Sequence, residues 1–383
     1  MPTRFRLLLP LVLAAGPLAA QAPPFSTELT VGFSSAASAT DRPLVVLDGA
    51  ESAAYDYTAD GSLQGASVAA TRWFAPVADD GKTPFALLPY VARASSAAAA
   101  FVLSGTRRES LGRFSGQASA LEVSFAGDGS AREATASGEW FLSRGVVLRG
   151  GFAYASDRET AASTSIESPS GRADVSTTAS RGTGTSGALG VAVRLGDHEV
   201  SVSGRYGASD RTREDASAFT GGGAPFFATL ETDVIVREAA VGARLLLLGR
   251  RLVVDARARY GSESSSSDLS TVPSGPYSRG SAIGRAASVA TTWYAGRETG
   301  LTLGYGYATR DATSGAAGRE RPSSAETERT FRAAVQWFAS PRAAVFLSGE
   351  RLETVSIAPP GSATFQRFET VTGRVVLGAS LRL

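Results

Sequence analysis

The chain has 383 residues, a formal net charge of +2 and no cysteine. The absence of cysteine excludes disulfide staples, thiolate metal sites and a lipid-anchored amino terminus. Lys82 is the only lysine, and no basic block or aromatic-interleaved patch points to a nucleic acid partner.

Arg4 and Arg6 precede an apolar run from Leu7 to Leu18, and small residues follow at Ala19, Ala20 and Ala22. That order predicts a secretory signal peptide over residues 1–22, cut after 20 or 22. The apolar run is shorter than the roughly 20 residues of a spanning helix, and no second long run exists. Residues 23–383 show no linker and no composition break, so they are read as one domain.

The dominant pattern after the leader has period two. Residues 25–33 alternate and form the first expected strand. Residues 61–73 and 85–94 read as a hairpin around Asp79, Asp80 and Gly81, although Pro89 would cost a ladder donor there. Residues 95–103 are Ala-rich and compatible with helix, and residues 114–125 read as a strand. In residues 145–156, Val146, Leu148, Gly150, Phe152 and Tyr154 share one face; Arg149 and small residues share the other. The same holds for Val254, Ala256, Ala258 and Tyr260 against Asp255, Arg257 and Arg259. At the carboxyl end Val371, Val375, Leu377, Ala379, Leu381 and Leu383 oppose Thr372, Arg374, Gly378, Ser380 and Arg382.

An aromatic pair, a tight turn and a returning strand recur. Trp140-Phe141 precedes a turn at Ser143-Arg144-Gly145 and a strand to Tyr154. Trp293-Tyr294 precedes Gly296-Arg297-Glu298 and a strand to Tyr307. Trp337-Phe338 precedes Ser340-Pro341-Arg342, and Trp73-Phe74 opens a looser version. Trp73, Trp140, Trp293, Trp337, Tyr154 and Tyr307 therefore read as aromatics at the two membrane boundaries. The connections at 157–183, 209–229, 262–282 and 310–327 are long and polar. Short turns on one rim and long loops on the other are how outer-membrane barrels are built.

Gly378, Leu381 and Leu383 resemble the closing signal of bacterial outer-membrane β-barrels, which their assembly machinery reads; Leu stands at the end where Phe or Trp is usual. The whole chain resembles porin-like outer-membrane barrels, with no motif that selects one family. The expected fold is an all-β, antiparallel, up-and-down transmembrane barrel of about 16 strands (14–18), with short periplasmic turns and long extracellular loops. Its place is the outer membrane of a Gram-negative cell, its partners are outer-membrane lipids and the barrel-assembly machinery, and it is a candidate homo-oligomer.

No catalytic residue, cofactor or metal is expected. The only histidine, His198, sits in a tight turn without the partners a catalytic histidine needs. Gly182 to Gly187 matches a dinucleotide fingerprint on paper, but no strand-to-helix context surrounds it. Asp79, Asp80, Glu326 and Glu328 lack calcium-loop spacing. Strand parity turns Arg149, Arg194, Arg205, Arg244, Asp255, Arg257, Arg259, Arg332 and Arg374 inward, with Glu122, Glu139 and Glu350. Those pore-lining charges predict a porin-like channel for small hydrophilic solutes with a mild anion preference. The third surface connection, near 126–132, is short, so a constriction would come from 34–60 or 157–183. The alternatives are a non-conducting adhesive or structural barrel, and a barrel for apolar substrates. The latter needs a plug or side opening, and the small and charged inward residues argue against it. No plug-sized domain precedes the first strands.

Overall fold

The computed structural model describes residues 24–48, 51–115, 120–168, 172–219, 226–269, 278–316, 319, 321–357 and 367–383. The expected signal peptide lies outside them. Fourteen strands run in chain order: β1 (Phe25–Asp48), β2 (Glu51–Val77), β3 (Ser96–Ser115), β4 (Ala120–Phe141), β5 (Val146–Ser168), β6 (Arg172–Leu195), β7 (His198–Phe219), β8 (Phe226–Leu247), β9 (Leu252–Leu269), β10 (Ser278–Tyr294), β11 (Thr299–Gly315), β12 (Arg321–Ser340), β13 (Ala343–Ile357) and β14 (Arg367–Arg382). Each pairs antiparallel with its chain neighbours, and β1 pairs with β14 to close the barrel. Closure leaves no sheet edge and satisfies the backbone within the wall, which a hydrocarbon surround demands.

The count is 14 where about 16 were expected, for two local reasons. Residues 114–125 are not one strand but the far end of β3 and the start of β4. Residues 85–94 are not a strand at all. Phe85–Leu87 is a 3-10 turn, and Leu88–Ala92 is a short helix, α1, with Pro89 in its first turn. Proline is tolerated there because those N–H groups have no helical partner anyway. Residues 96–103, compatible with helix by composition, lie in β3.

The long loops expected at 157–183, 209–229, 262–282 and 310–327 are largely strand. A barrel strand needs about 9–11 residues to cross the bilayer; β5 has 23 and β6 has 24. The surplus projects beyond the membrane and is tied by polar side-chain pairs, such as Ser163 Oγ to Ser176 Oγ at 2.7 Å and Thr178 Oγ1 to Asp215 at 2.7 Å. Residues 126–132, read as a short surface connection, lie inside β4.

The outward face carries an apolar belt. Leu189, Val191, Val193, Val200, Val202, Val241, Leu301 and Leu303 are among its exposed side chains. In a water-soluble protein such a surface would associate; facing lipid, it is the stabilising surface. Trp140, Trp293 and Trp337 lie on it near the short turns, and Tyr154 and Tyr307 lie on it nearer the far rim; each is 43–49% exposed. Trp73 does not join them. It is 7% exposed and turns inward, edge-on to Phe25 with ring centroids 5.5 Å apart.

Candidate functional site

The turns that join β4 to β5, β6 to β7, β8 to β9, β10 to β11 and β12 to β13 lie at one end of the barrel, together with the described chain ends. That end is closed by residues 78–95, the connection from β2 to β3. Asp80 shapes its start. The Asp80 carboxylate accepts hydrogen bonds from the Lys82 and Thr83 N–H groups at 3.0 and 2.7 Å and from the Thr83 hydroxyl at 2.6 Å. Gly81 takes φ +73°, a left-handed turn that glycine adopts freely. Burial opposes the charge on Asp80, but the Thr83 and Lys82 hydrogen bonds and nearby Arg250 win and lower its pKa to about 2.

The segment then inserts apolar side chains into the barrel. Phe85 and Leu88 are buried against Phe25, Trp73, Val77, Phe338 and Ala344. Leu87 is buried against Leu246, Val253 and Tyr294. The plug thus touches β1, β2, β8, β9, β10, β12 and β13. The second aromatic of two Trp-aromatic pairs serves here: Tyr294 and Phe338 turn inward beneath the plug, while their Trp neighbours face lipid.

Arginines fasten the plug to the turns. Arg93 donates to the carbonyls of Arg144 and Gly196, both at 2.7 Å. Arg250 donates to both oxygens of Asp197 at 2.8 and 3.1 Å and to the Thr83 hydroxyl at 2.9 Å. The Arg250 hydrogen bond in turn holds the Asp197 carboxyl below its usual range. Arg297 reaches the Thr83 carbonyl at 3.2 Å, pairs with Asp79, and lies over the Phe85 ring. Arg382, 4% exposed, donates to Glu28 at 2.7 Å and to the Phe85 carbonyl at 2.8 Å, between the rings of Phe25 and Phe338.

A charged layer lies directly above. Arg194 is 5% exposed, stacked on Tyr90 of the plug at 3.9 Å, and donates to the Tyr90 carbonyl and to Glu199. Arg149 bridges Glu139 and Glu199 at 2.5 and 2.7 Å, and Arg244 pairs with Asp255 at 2.6 Å. Beyond it opens a lumen cavity of about 720 Å³, whose wall includes Arg149, Arg244, Asp255, Arg257, Arg259 and Arg332. Of the arginines read as inward, Arg194 is covered by the plug, and Arg205 donates to Ser186 on the wall. Arg374 lies across from Glu350, a cavity residue, on the neighbouring strand. Acids balance much of this charge; Glu199, not singled out in the sequence, and Glu328, weighed there only as a loop carboxylate, contribute to it. Register places Leu63, Val102, Phe346, Leu352 and Val376 inward on β2, β3, β13 and β14, interspersed with inward Ser67, Ser104, Ser348, Glu350 and Arg374, so the opposite wall of the lumen is mixed.

His198 is structural: its Nδ1 accepts the Leu246 N–H at 3.3 Å. Among the described residues no group of three or more His, Asp or Glu is arranged to hold a metal ion.

Comparison with solved structures gives full-length matches. A deletion mutant of the TodX monoaromatic hydrocarbon channel superposes with a TM-score of 0.53 at 12% identity, over 94% of this chain and 91% of that one. The toluene transporter TodX of P. putida gives 0.51 at 12% identity over the same shares. A FadL homologue of Pseudomonas aeruginosa gives 0.50 at 10% identity, over 93% and 90%. The chain has the fold of an outer-membrane β-barrel. No protein-family model matches it, and no curated protein does.

The expected porin-like channel for hydrophilic solutes is therefore corrected on two findings. The turn end of the lumen is filled by buried apolar side chains, and the barrels that superpose are described as hydrocarbon channels rather than general porins. The adhesive alternative gains nothing from these findings, because the connections expected to bind at the surface are mostly paired strand. The sequence signals that were available for the plug are Pro84 before and Pro89 within a supposed strand, and an arginine in the turns at Arg250 and Arg297.

Proposed function

We propose that the protein is a gated outer-membrane channel for small apolar molecules, with residues 78–95 as its gate. The observation that carries this reading is the plug. It fills the turn end with apolar side chains, yet it is fastened by arginine hydrogen bonds to turns and carbonyls rather than woven into the sheet. Such contacts exchange with water at modest net cost, so the segment can move without unpairing the barrel. Phe346, Leu352 and Val376, inward on an otherwise mixed wall, supply apolar contacts for a passing hydrocarbon. The likeness to TodX and to a FadL homologue points the same way.

Residues 1–22 act in this reading as the export leader, and Gly378, Leu381 and Leu383 as the assembly signal. The test is uptake of labelled toluene by porin-deficient Gram-negative cells that express the protein, beside swelling of protein-bearing liposomes in arabinose. Faster toluene uptake without swelling is the expected result. Toluene uptake equal to that of control cells overturns the proposal.

A further inference from the structure

Three successive hairpins place a tyrosine and an arginine directly across from each other on the outward face. Tyr206 of β7 pairs with Arg237 of β8, Tyr260 of β9 with Arg285 of β10, and Tyr307 of β11 with Arg329 of β12. The tyrosines are 43–53% exposed, and all three arginines are exposed. None of these arginines makes an ion pair among the described residues. Glu353, across from Arg329, is engaged by Arg351 at 2.8 Å. Asp311, two residues beyond Thr309, the partner of Arg285, is not within ion-pair distance of it.

Height locates this row. Arg285 and Arg329 lie eight residues along their strands from Trp293 and Trp337, the aromatics near the short turns. At about 3.3 Å per residue and the usual tilt, that is roughly 20 Å, close to the roughly 25 Å of an apolar belt. A guanidinium in mid-belt would be costly, and the cost falls towards zero only at the interface. There, beside Ser262, Thr309 and Glu353 on the neighbouring strands, lipid headgroups come within reach, and an arginine fork matches a phosphate with two parallel hydrogen bonds.

A groove lies below the row. On the lipid-facing wall Leu189, Gly204, Tyr206, Ala239 and Tyr260 bound a shallow hollow of about 870 Å³, with Arg237 also on its lining. Gly204 and Ala239 leave its floor low, and the two tyrosines form its sides. The hollow has the shape and polarity to receive an acyl chain whose phosphate lies at Arg237.

We infer that Arg237, Arg285 and Arg329 form a docking row for a phosphorylated lipid of the outer leaflet, with one acyl chain in the groove between Tyr206 and Tyr260. The inference is independent of what passes through the lumen. It is tested on the full-length refolded protein in detergent by native mass spectrometry, with diphosphoryl lipid A and its dephosphorylated form as probes. The wild type should bind the phosphorylated form at least about tenfold more tightly, since charge-assisted hydrogen bonds carry the difference. The combined Arg237→Gln, Arg285→Gln and Arg329→Gln variant should lose that preference while still folding. Equal affinity of the wild type for both probes overturns the inference, and that arm needs no variant. An undiminished preference in the triple variant overturns it as well.

Discussion

Replacing Phe85 by alanine should unlatch the plug and leave the barrel intact. The ring is 6% exposed, sits edge-on to Phe338 at 5.9 Å and lies beneath the Arg297 guanidinium at 4.4 Å. Truncating a buried phenylalanine costs about 3–5 kcal/mol, and a surface segment that can relax belongs at the lower end. About 3 kcal/mol, at about 1.4 kcal/mol per factor of ten, raises the undocked population roughly hundredfold. The chain supplies its own reporter, because a lysine-specific protease has a single site, Lys82. The bond after Lys82 is held closed: Thr83 is 1% exposed, its N–H and hydroxyl donate to Asp80, and its carbonyl accepts from Arg297. Cleavage therefore requires undocking, and its rate follows the undocked population when docking is fast. The assay is the rate of that single cut in the detergent-folded protein, with the heat-dependent gel shift of a folded barrel as control. An unchanged rate in a folded Phe85→Ala barrel would refute the argument that apolar burial holds the plug.

Other outcomes follow from the same contacts. Arg382→Ala strips Glu28 of its partner and the Phe85 carbonyl of a donor. It should lower stability to urea by about 3 kcal/mol, as removal of one member of a buried pair does; a loss below about 1 kcal/mol would mean that water already serves Glu28. Gly378→Ala should destabilise the barrel by about 1–3 kcal/mol. Its new methyl would run into the Phe346 ring and lie 2.6 Å from the Val31 carbonyl oxygen, and equal unfolding midpoints would contradict this. The depressed pKa of Asp80, about 2, means that its contribution to docking is complete above the ordinary carboxylate pKa near 3.8 and is lost as pH falls towards 2. Amide hydrogen exchange at Thr83, whose N–H donates to Asp80, read by mass spectrometry after correction for the pH dependence of intrinsic exchange, should show flat protection from pH 7 to about pH 4 and a loss of protection below it. A loss already near pH 5 would assign the acid sensitivity to another group.

The sequence was legible where a strand has lipid on one side and a lumen on the other. Residues 146–156 show this cleanly, and β5 begins there. Residues 157–168 continue the same strand but have polar side chains on both faces, since both are wet beyond the headgroups, and alternation no longer marks them. The extended strands were therefore read as loops. The plug was missed for a different reason: Phe85, Leu87 and Leu88 make a short apolar run that periodicity alone assigns to neither helix nor strand. Trp73 shows the limit of a motif without parity. Trp140, Trp293 and Trp337 stand within the last few residues of their strands and face outward, whereas Trp73 stands four residues before the end of β2 and faces in. The lumen arginines were placed by parity, but their neutralisation by Glu139, Glu199 and Asp255 depends on cross-strand register.

The closure of β1 on β14 also orders events in time. The plug is translated early, directly after the second strand, but much of what receives it comes late: Phe338, Ala344 and Arg382 belong to the final three strands. Until the last strand has met the first, Phe85 has only part of its seat and its carbonyl has no arginine. The stopper is made near the beginning, and its seat is complete only at the end.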